Sequence, residues 1–291
     1  MVDRRSNEMD DQQWYERILR SINDPSLGLP GFPSVYQQEV FVGKSNEEAL
    51  AEAFTFYKIV KKASHPLRRS SPVLDFGVGW GRIIRFFLND VDAACLHGVD
   101  VDEAVLDLAK STGVAGNLSR IGSNARLPYD DGYFDAIYSF SVFSHLSEVS
   151  AKFWLSELMR VLAPGGTLVM TTTTDHFLEL CQACALKESG RNQYEEDYAR
   201  MFADPGEARR RYSAGEHVYA AVAGNADVLD AANYGWAAMP PAFVEREIGS
   251  LARSISFVDD PGLLPQGFFT VRKKASLVQR LGRKLRSLTP G

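Results

Sequence analysis

PVLDFGVGWGR, residues 72–82, is the stretch on which the fold turns. The mostly apolar run Val73 to Phe76 reads as a buried strand. Gly77, Gly79 and Gly81 then form a turn into a helical segment predicted over Arg82 to Leu88. Glycine takes positive φ without penalty and lets a ligand approach the backbone closely, while the free N–H groups at the start of a helical segment suit an anionic group. Such a turn fits a nucleotide or the carboxylate of an amino acid.

Working outward, short apolar runs alternate with helical stretches, the pattern of a parallel sheet covered by helices on both faces. Strands are expected at Cys95 to Val99, Ser119 to Gly122, Phe134 to Ser139 and Thr167 to Thr172. Helices are expected at Asp102 to Lys110 and Ser150 to Leu162. After residue 241 a helix at Phe243 to Ala252 and a strand at Ser254 to Val258 precede a last strand, GFFTVRK, residues 267–273. Between them Asp175 to Pro241 breaks the rhythm. It opens with a helix over Phe177 to Lys187, continues through the polar stretches RNQYEEDYARMF and GEARRRYS, and ends in YGWAAMPP. This segment reads as an insertion over the carboxyl ends of the strands, where open α/β sheets bind ligands.

A dinucleotide fingerprint G-x-G-x-x-G would place its last glycine where Arg82 stands. The spacing actually present, D-x-G-x-G-x-G from Asp75, resembles motif I of the class I S-adenosylmethionine-dependent methyltransferases. In HGVDVDEAVLDLA, residues 97–109, Asp100 closes the next strand, where a carboxylate can accept hydrogen bonds from both ribose hydroxyls. SNARLPYDDGYFDAIYS, residues 123–139, is similar to the family's segment past the adenine, with Asn124 where the pattern usually carries Asp. An Asn amide oxygen can still accept from the adenine amino group. RVLAPGGTLVMTT, residues 160–172, resembles the family's turn into strand five, and GFFTVRK its antiparallel last strand. The resemblance implies an α/β, Rossmann-like, doubly wound sheet of about seven strands whose last strand is antiparallel. It also implies S-adenosyl-L-methionine as cofactor, held by Asp75, Gly77, Gly79, Gly81, Asp100, Val101, Asn124, Ala125 and Ser139. Asp75 would lie near the methionine ammonium.

The activated methyl of such a cofactor requires mainly that an acceptor be aligned, and a base adds rate only for a hydroxyl acceptor. His145, in FSVFSHLSE after strand four, and His217, in GEHVY of the insertion beside Glu216, are the candidate bases. Packing or capping is the alternative role for His145. Cys181 and Cys184 form C-x-x-C on a helix with no second pair, so a structural role is expected and no metal site. Asp100 could instead cap the following helix, a task that Asp102 suits better.

Residues 1–66 read as an N-terminal helical cap. Trp14 and Ile18 lie on one face, and Leu50, Phe54, Tyr57 and Val60 recur at helical spacing around an irregular Pro- and Gly-rich stretch. Tyr36, Phe41, Phe54 and Tyr57 are candidates to close over the methionine end of the cofactor, with core packing as the alternative. The methyltransferase domain is then expected over 67–174 and 242–274, the substrate-binding insertion over 175–241, and a basic amphipathic tail over 275–291. In that tail Leu277, Leu281, Leu285 and Leu288 share a stripe among basic residues, a pattern compatible with peripheral contact to an anionic membrane or with partner docking.

Composition narrows the classes. There are 32 Lys and Arg against 37 Asp and Glu, a net charge of -5, and seven of the basic residues fall from Arg272 onward. The remainder is therefore acidic, which argues against nucleic acid as partner. Three cysteines are too few for a disulfide framework and point to a reducing compartment, so a cytoplasmic location is expected. The expected activity is O-methylation of a small metabolite or sugar. The alternatives are a non-catalytic S-adenosylmethionine-binding scaffold and, against Arg82, an NAD-dependent oxidoreductase. No feature of the sequence fixes an oligomeric state.

Overall fold

The structure, a computed structural model, describes residues 9–64, 66–221 and 232–275. The chain divides into two compact units, Met1–Ile121 and Gly122–Gly291. The basic leucine stripe expected at the C-terminus lies outside the described residues.

The first unit begins with three helices, α1 (Asp11–Ser21), α2 (Val35–Val42) and α3 (Asn46–Ser64). Asp10 and Gln13 form a reciprocal capping box that starts α1, so two orphan backbone donors are satisfied before the helix propagates. Trp14 and Ile18 of α1 are buried with Leu50, Phe54, Tyr57 and Val60 of α3, as their spacing predicts. The Trp14 Nε1 donates to the carbonyl of Phe86 at 3.0 Å. Phe54 stacks on Tyr15 with ring centroids 4.5 Å apart, and the Tyr57 hydroxyl donates to Asp90 at 2.5 Å. These two aromatics are core, not a cover for a ligand, whereas Tyr36 and Phe41 of α2 stand exposed.

The strands of this unit are β1 (Val73–Phe76), β2 (Leu96–Asp100) and β3 (Asn117–Arg120), joined in parallel register from Val73 against Leu96 onward. α4 (Glu103–Ser111) follows β2. Its N-cap is Asp102, whose side chain accepts from the Ala104 N–H at 2.8 Å, so Asp100 is released from that duty. One expectation fails. The segment after the glycine turn is not an α-helix from Arg82 but a 3-10 stretch, Ile84–Asn89. The Arg85 side chain donates from Nε to the Gly81 carbonyl at 3.0 Å, occupying the acceptor that an α-helical N–H of residue 85 would need.

The second unit carries β4 (Phe134–Ser139), α5 (Glu148–Val161) and β5 (Leu162–Thr172), with β4 and β5 parallel. Then come α6 (Asp175–Leu186), α7 (Gln193–Arg200), α8 (Pro205–Ser213), β6 (Val218–Ala221), β7 (Gly235–Ala238), α9 (Pro241–Ile248), β8 (Ala252–Val258) and β9 (Gly267–Lys273). The strands order as β3-β2-β1-β4-β5-β9-β8, and β9 runs antiparallel to both β5 and β8. The two polar stretches of the insertion, to which the sequence assigned no element, are helices. An Asn192–Glu195 capping box starts α7, and Asp204 caps α8 with Pro205 at its first position. Their polar faces look outward over a small core of Leu178, Cys181, Phe202, Ala208, Val218 and Ala238. β6 and β7 form a separate antiparallel pair.

Candidate functional site

Gly77, Gly79 and Gly81 all take positive φ, 83°, 53° and 81°. The turn is drawn onto β2 because the N–H groups of Gly77 and Val78 both donate to the Val99 carbonyl, at 2.9 and 3.0 Å. The three glycines then differ. A Cβ on Gly81 would come within 2.6 Å of Val114, whereas one on Gly79 would meet nothing within 4 Å. Gly81 is thus required by packing, and Gly79 leaves an open face against which another molecule can lie.

Trp80 is buried between them, in edge contact with Phe32 at 6.3 Å. Arg85 fixes the Pro30–Phe32 loop here. It donates to the carbonyls of Pro30 and Gly31 at 3.3 and 3.1 Å, and its guanidinium lies 4.2 Å from the Phe32 ring centre. Burial lowers the Arg85 pKa to about 9. Arg82 points the opposite way, toward α3, with NH1 2.6 Å from Glu52 and 3.1 Å from the Ala49 carbonyl. The residue that departs from the dinucleotide fingerprint therefore serves the helical cap.

Asp75 is buried in β1. Asp100, at the end of β2, accepts from the Gly79 N–H on Oδ2 at 2.9 Å and from the Asp102 N–H on Oδ1 at 3.1 Å. Desolvation raises its pKa, opposed by these backbone hydrogen bonds. A carboxylate offers about four acceptor positions, so acceptor capacity remains for a ligand hydroxyl. Val101, which follows, is half-buried.

A second cluster sits in the other unit. Asn124 adopts a left-handed φ of 53°, a conformation that Asn tolerates better than most residues. Its Nδ2 donates to Ser150 Oγ and to Asn233 Oδ1, both at 3.0 Å, and its Oδ1 is buried without a hydrogen bond. The N–H of the adjoining Ala125 donates to the Gly122 carbonyl. Ser139 ends β4 fully buried, and its Oγ has no hydrogen-bond partner.

The segment Asn233–Ala237 is laid as a strap along residues 144–147. The N–H of Ser147 donates to Asn233, that of Gly235 to His145, and that of Ala237 to Ser144, while Leu146 bridges Tyr234. The Thr173 hydroxyl, just past β5, donates to the Ala237 carbonyl. The strap encloses His145. The imidazole stacks on Tyr234 with centroids 4.8 Å apart, tilts against Trp236 at 4.9 Å, and places Nδ1 2.9 Å from the Gly235 carbonyl. A carbonyl only accepts, so Nδ1 carries the proton and the neutral ring keeps its lone pair on Nε2. Burial lowers the pKa of His145, which keeps it neutral at neutral pH.

His217 is placed differently. It is 2% exposed and packs on Phe243 with centroids 5.0 Å apart; neither ring nitrogen has a hydrogen bond, and burial drops its pKa to about 4. Glu216 turns away to Arg211 at 2.9 Å. The structure therefore gives His217 a place in the core, from which it cannot receive an acceptor's proton, and its candidacy as a base is withdrawn. Cys181 belongs to the insertion core, and burial pushes its thiol up to about 12. Among the described residues no group of three or more His, Cys, Asp or Glu is placed to hold a metal ion.

Sequence reasoning missed the strap and a hydroxyl–amide network beside it. The Ser141 N–H donates to Thr171 Oγ1 at 2.7 Å, and Gln266 accepts from Thr171 at 2.7 Å while donating to Ser141 Oγ at 2.9 Å. The aromatic run YGWAAMPP was the available signal for the strap. Nothing local marks Gln266, which lies 125 residues from Ser141.

The strand order with its antiparallel end, the glycine turn and the acid closing β2 define the class I S-adenosylmethionine-dependent methyltransferase fold, and S-adenosylmethionine is its cofactor. Residues 73–166 match the family model of the methyltransferase domain. Among characterised sequences, the chloroplastic tocopherol O-methyltransferase of Arabidopsis thaliana is 30% identical over 110 residues, which is 36% of this chain and 31% of that protein. The match spans about a third of the length of the curated relatives. Among solved structures, the PH0226 protein of Pyrococcus horikoshii OT3 aligns with a TM-score of 0.53 at 17% identity, over 84% of this chain and 100% of that one. Streptomyces venezuelae DesVI aligns with a TM-score of 0.50 at 14% identity, over 84% and 99%. At these identities the two structures speak for the fold. Among the described residues no helix is long and apolar enough to cross a membrane.

Proposed function

We propose that the protein is an active S-adenosylmethionine-dependent methyltransferase that methylates an oxygen of a small acceptor, a metabolite or a sugar, with His145 as its base. The observation that carries this reading is the His145 ring, fixed by Gly235 and two aromatic side chains with Nε2 as the proton-accepting atom. The name of the Arabidopsis relative, an O-methyltransferase, supports an oxygen acceptor.

When bound, the cofactor supplies a methyl group already activated by its sulfonium charge. The residues present fit it. Asp100 retains acceptor capacity for the ribose hydroxyls, with Val101 beside it. Asn124 holds out a buried, unpaired amide oxygen for the adenine amino group, flanked by Ala125. Gly77, Gly79 and Gly81 shape the turn for close approach, Asp75 supplies negative charge for the methionine ammonium, and the Ser139 hydroxyl is free to bond at the end of β4. His145 accepts the proton of the acceptor hydroxyl on Nε2, so positive charge does not build up on the oxygen as its lone pair forms the new bond. Positioned proton transfer of this kind contributes roughly 10²- to 10⁴-fold. On this reading residues 1–66 are the cap, 67–174 and 242–274 the catalytic domain, and 175–241 the segment that selects the acceptor.

The test is release of S-adenosylhomocysteine from the protein incubated with S-adenosylmethionine and panels of phenols, sugars and small alcohols. Turnover on at least one hydroxyl acceptor is expected, with His145→Gln lowering kcat and removing the acidic limb of its pH profile. Tight S-adenosylhomocysteine binding without release on any acceptor would favour the non-catalytic scaffold. Normal turnover by His145→Gln would remove the base.

A further inference from the structure

We propose that Asn233, a residue of the insertion, is a positioning residue that sets the orientation of the Asn124 amide and thereby makes the site selective for a 6-aminopurine over a 6-oxopurine. The inference rests on the reading above that Asn124 faces the cofactor's purine.

A carboxamide has two N–H donors and one acceptor oxygen, and its two ends are nearly isosteric, so only its partners decide which way it points. Around Asn124 those partners are Ser150 Oγ and Asn233 Oδ1, each 3.0 Å from Nδ2. The single Ser150 hydroxyl proton is already given to Asn233 Oδ1 at 3.0 Å, and Ser150 Oγ also accepts from Ser147 Oγ at 3.2 Å. With its proton spent on Asn233, Ser150 has none for Asn124. If the Asn124 amide turned over, its oxygen would face two acceptors and find no donor. With the Asn233 oxygen turned toward it, the Asn124 amide keeps Nδ2 inward and leaves Oδ1 as the group on offer. That oxygen is buried and accepts no hydrogen bond. A ligand's amino group would satisfy it, whereas a ligand's carbonyl would set acceptor against acceptor.

What holds Asn233 is the strap itself. Its carbonyl accepts from the Ser147 N–H at 3.1 Å, and the next two residues are tied to Leu146 by a β-bridge and to the His145 carbonyl by the Gly235 N–H at 2.8 Å. The same Gly235 carbonyl fixes His145 Nδ1. One strand of the insertion thus seats both the purine-reading amide and the base. Sequence motifs assign cofactor recognition wholly to the sheet, and this geometry extends it to the insertion.

The test compares binding of S-adenosylhomocysteine and S-inosylhomocysteine, which differ at the purine 6-position, by calorimetry. The full chain and its Asn124→Ala, Asn233→Ala and Asn233→Asp variants are each checked for an unchanged circular-dichroism spectrum. The wild type is expected to prefer the amino ligand by roughly tenfold or more. Asn233→Asp should keep that ratio, because a carboxylate oxygen accepts the same two hydrogen bonds. Asn233→Ala should bring the ratio to within about threefold of unity, because either end of the Asn124 amide can then point outward. A wild-type ratio near one, or an unchanged ratio in Asn124→Ala, would overturn the reading of Asn124 and the proposal with it. Selectivity lost in Asn124→Ala but kept in Asn233→Ala would overturn the role of Asn233 alone. Should Asn233→Ala fail to fold, Asn233→Asp decides, since loss of selectivity there would also overturn it.

Discussion

Replacing Gly79 and Gly81 singly by Ala separates two reasons for a glycine that the sequence cannot tell apart. Both positions have positive φ, so each Ala pays a left-handed backbone cost of about 1–2 kcal/mol, and each gains back roughly 0.4–1 kcal/mol through a less flexible unfolded chain. These contributions nearly cancel when the two variants are compared. What differs is space: the new Cβ meets Val114 at 2.6 Å in Gly81→Ala and nothing within 4 Å in Gly79→Ala. Overpacking of a core contact costs about 1–3 kcal/mol. Urea unfolding should therefore show Gly81→Ala less stable than Gly79→Ala by about that amount. A double-mutant cycle with Val114→Ala should return a favourable coupling of about 1–2 kcal/mol, since the smaller side chain makes room. Calorimetry should show the converse at Gly79, where Ala on the open face weakens S-adenosylhomocysteine by roughly tenfold, about 1.4 kcal/mol, at little cost in stability. Equal destabilisation by the two alanines, with no relief from Val114→Ala, would refute the assignment of packing to one glycine and ligand approach to the other.

Further outcomes follow from the buried ionisable groups. His217 has a folded pKa of about 4 against an unfolded value near 6.5, so the unfolded chain binds the extra proton between those limits. Its contribution, about 3 kcal/mol, is whole above pH 6.5 and is lost as pH falls toward 4, and His217→Leu should flatten stability across that window in urea titrations. Arg85 donates to the carbonyls of Gly81, Pro30 and Gly31. Arg85→Met should cost about 2–4 kcal/mol by orphaning them, and Arg85→Lys should not restore the loss because an ammonium lacks the planar fork. A thiol reagent should label the half-buried Cys95 well before the buried Cys181 and Cys184, the first of which is held protonated by its surroundings, and comparable rates for all three would contradict the packed insertion core.

The alternation of strands and helices was legible because a parallel sheet needs short apolar runs and amphipathic covers, and both patterns are local. β4 and β9 fall where the sequence places them, and β3 lies two residues earlier than expected, at Asn117–Arg120. The segment after the glycine turn was misread because nothing local shows that a side chain, Arg85, reaches the Gly81 carbonyl. α7 and α8 went unread as helices because their faces are polar and their starts are marked by caps rather than by an apolar period.

By itself the sequence determined the fold class and the cofactor, since a turn that must approach a ligand and an acid that must close a strand are written in contiguous residues. Only the tertiary structure decided what each of those residues does. It gave Gly81 to Val114, Arg82 to Glu52 and helix capping to Asp102. It also parted two histidines that look alike in the chain, burying one against Phe243 and holding the other between Tyr234 and Trp236. The difference is one of range. Backbone conformation and hydrophobic period act over a few residues, but a side chain's proton, charge and packing are set by partners dozens of positions away.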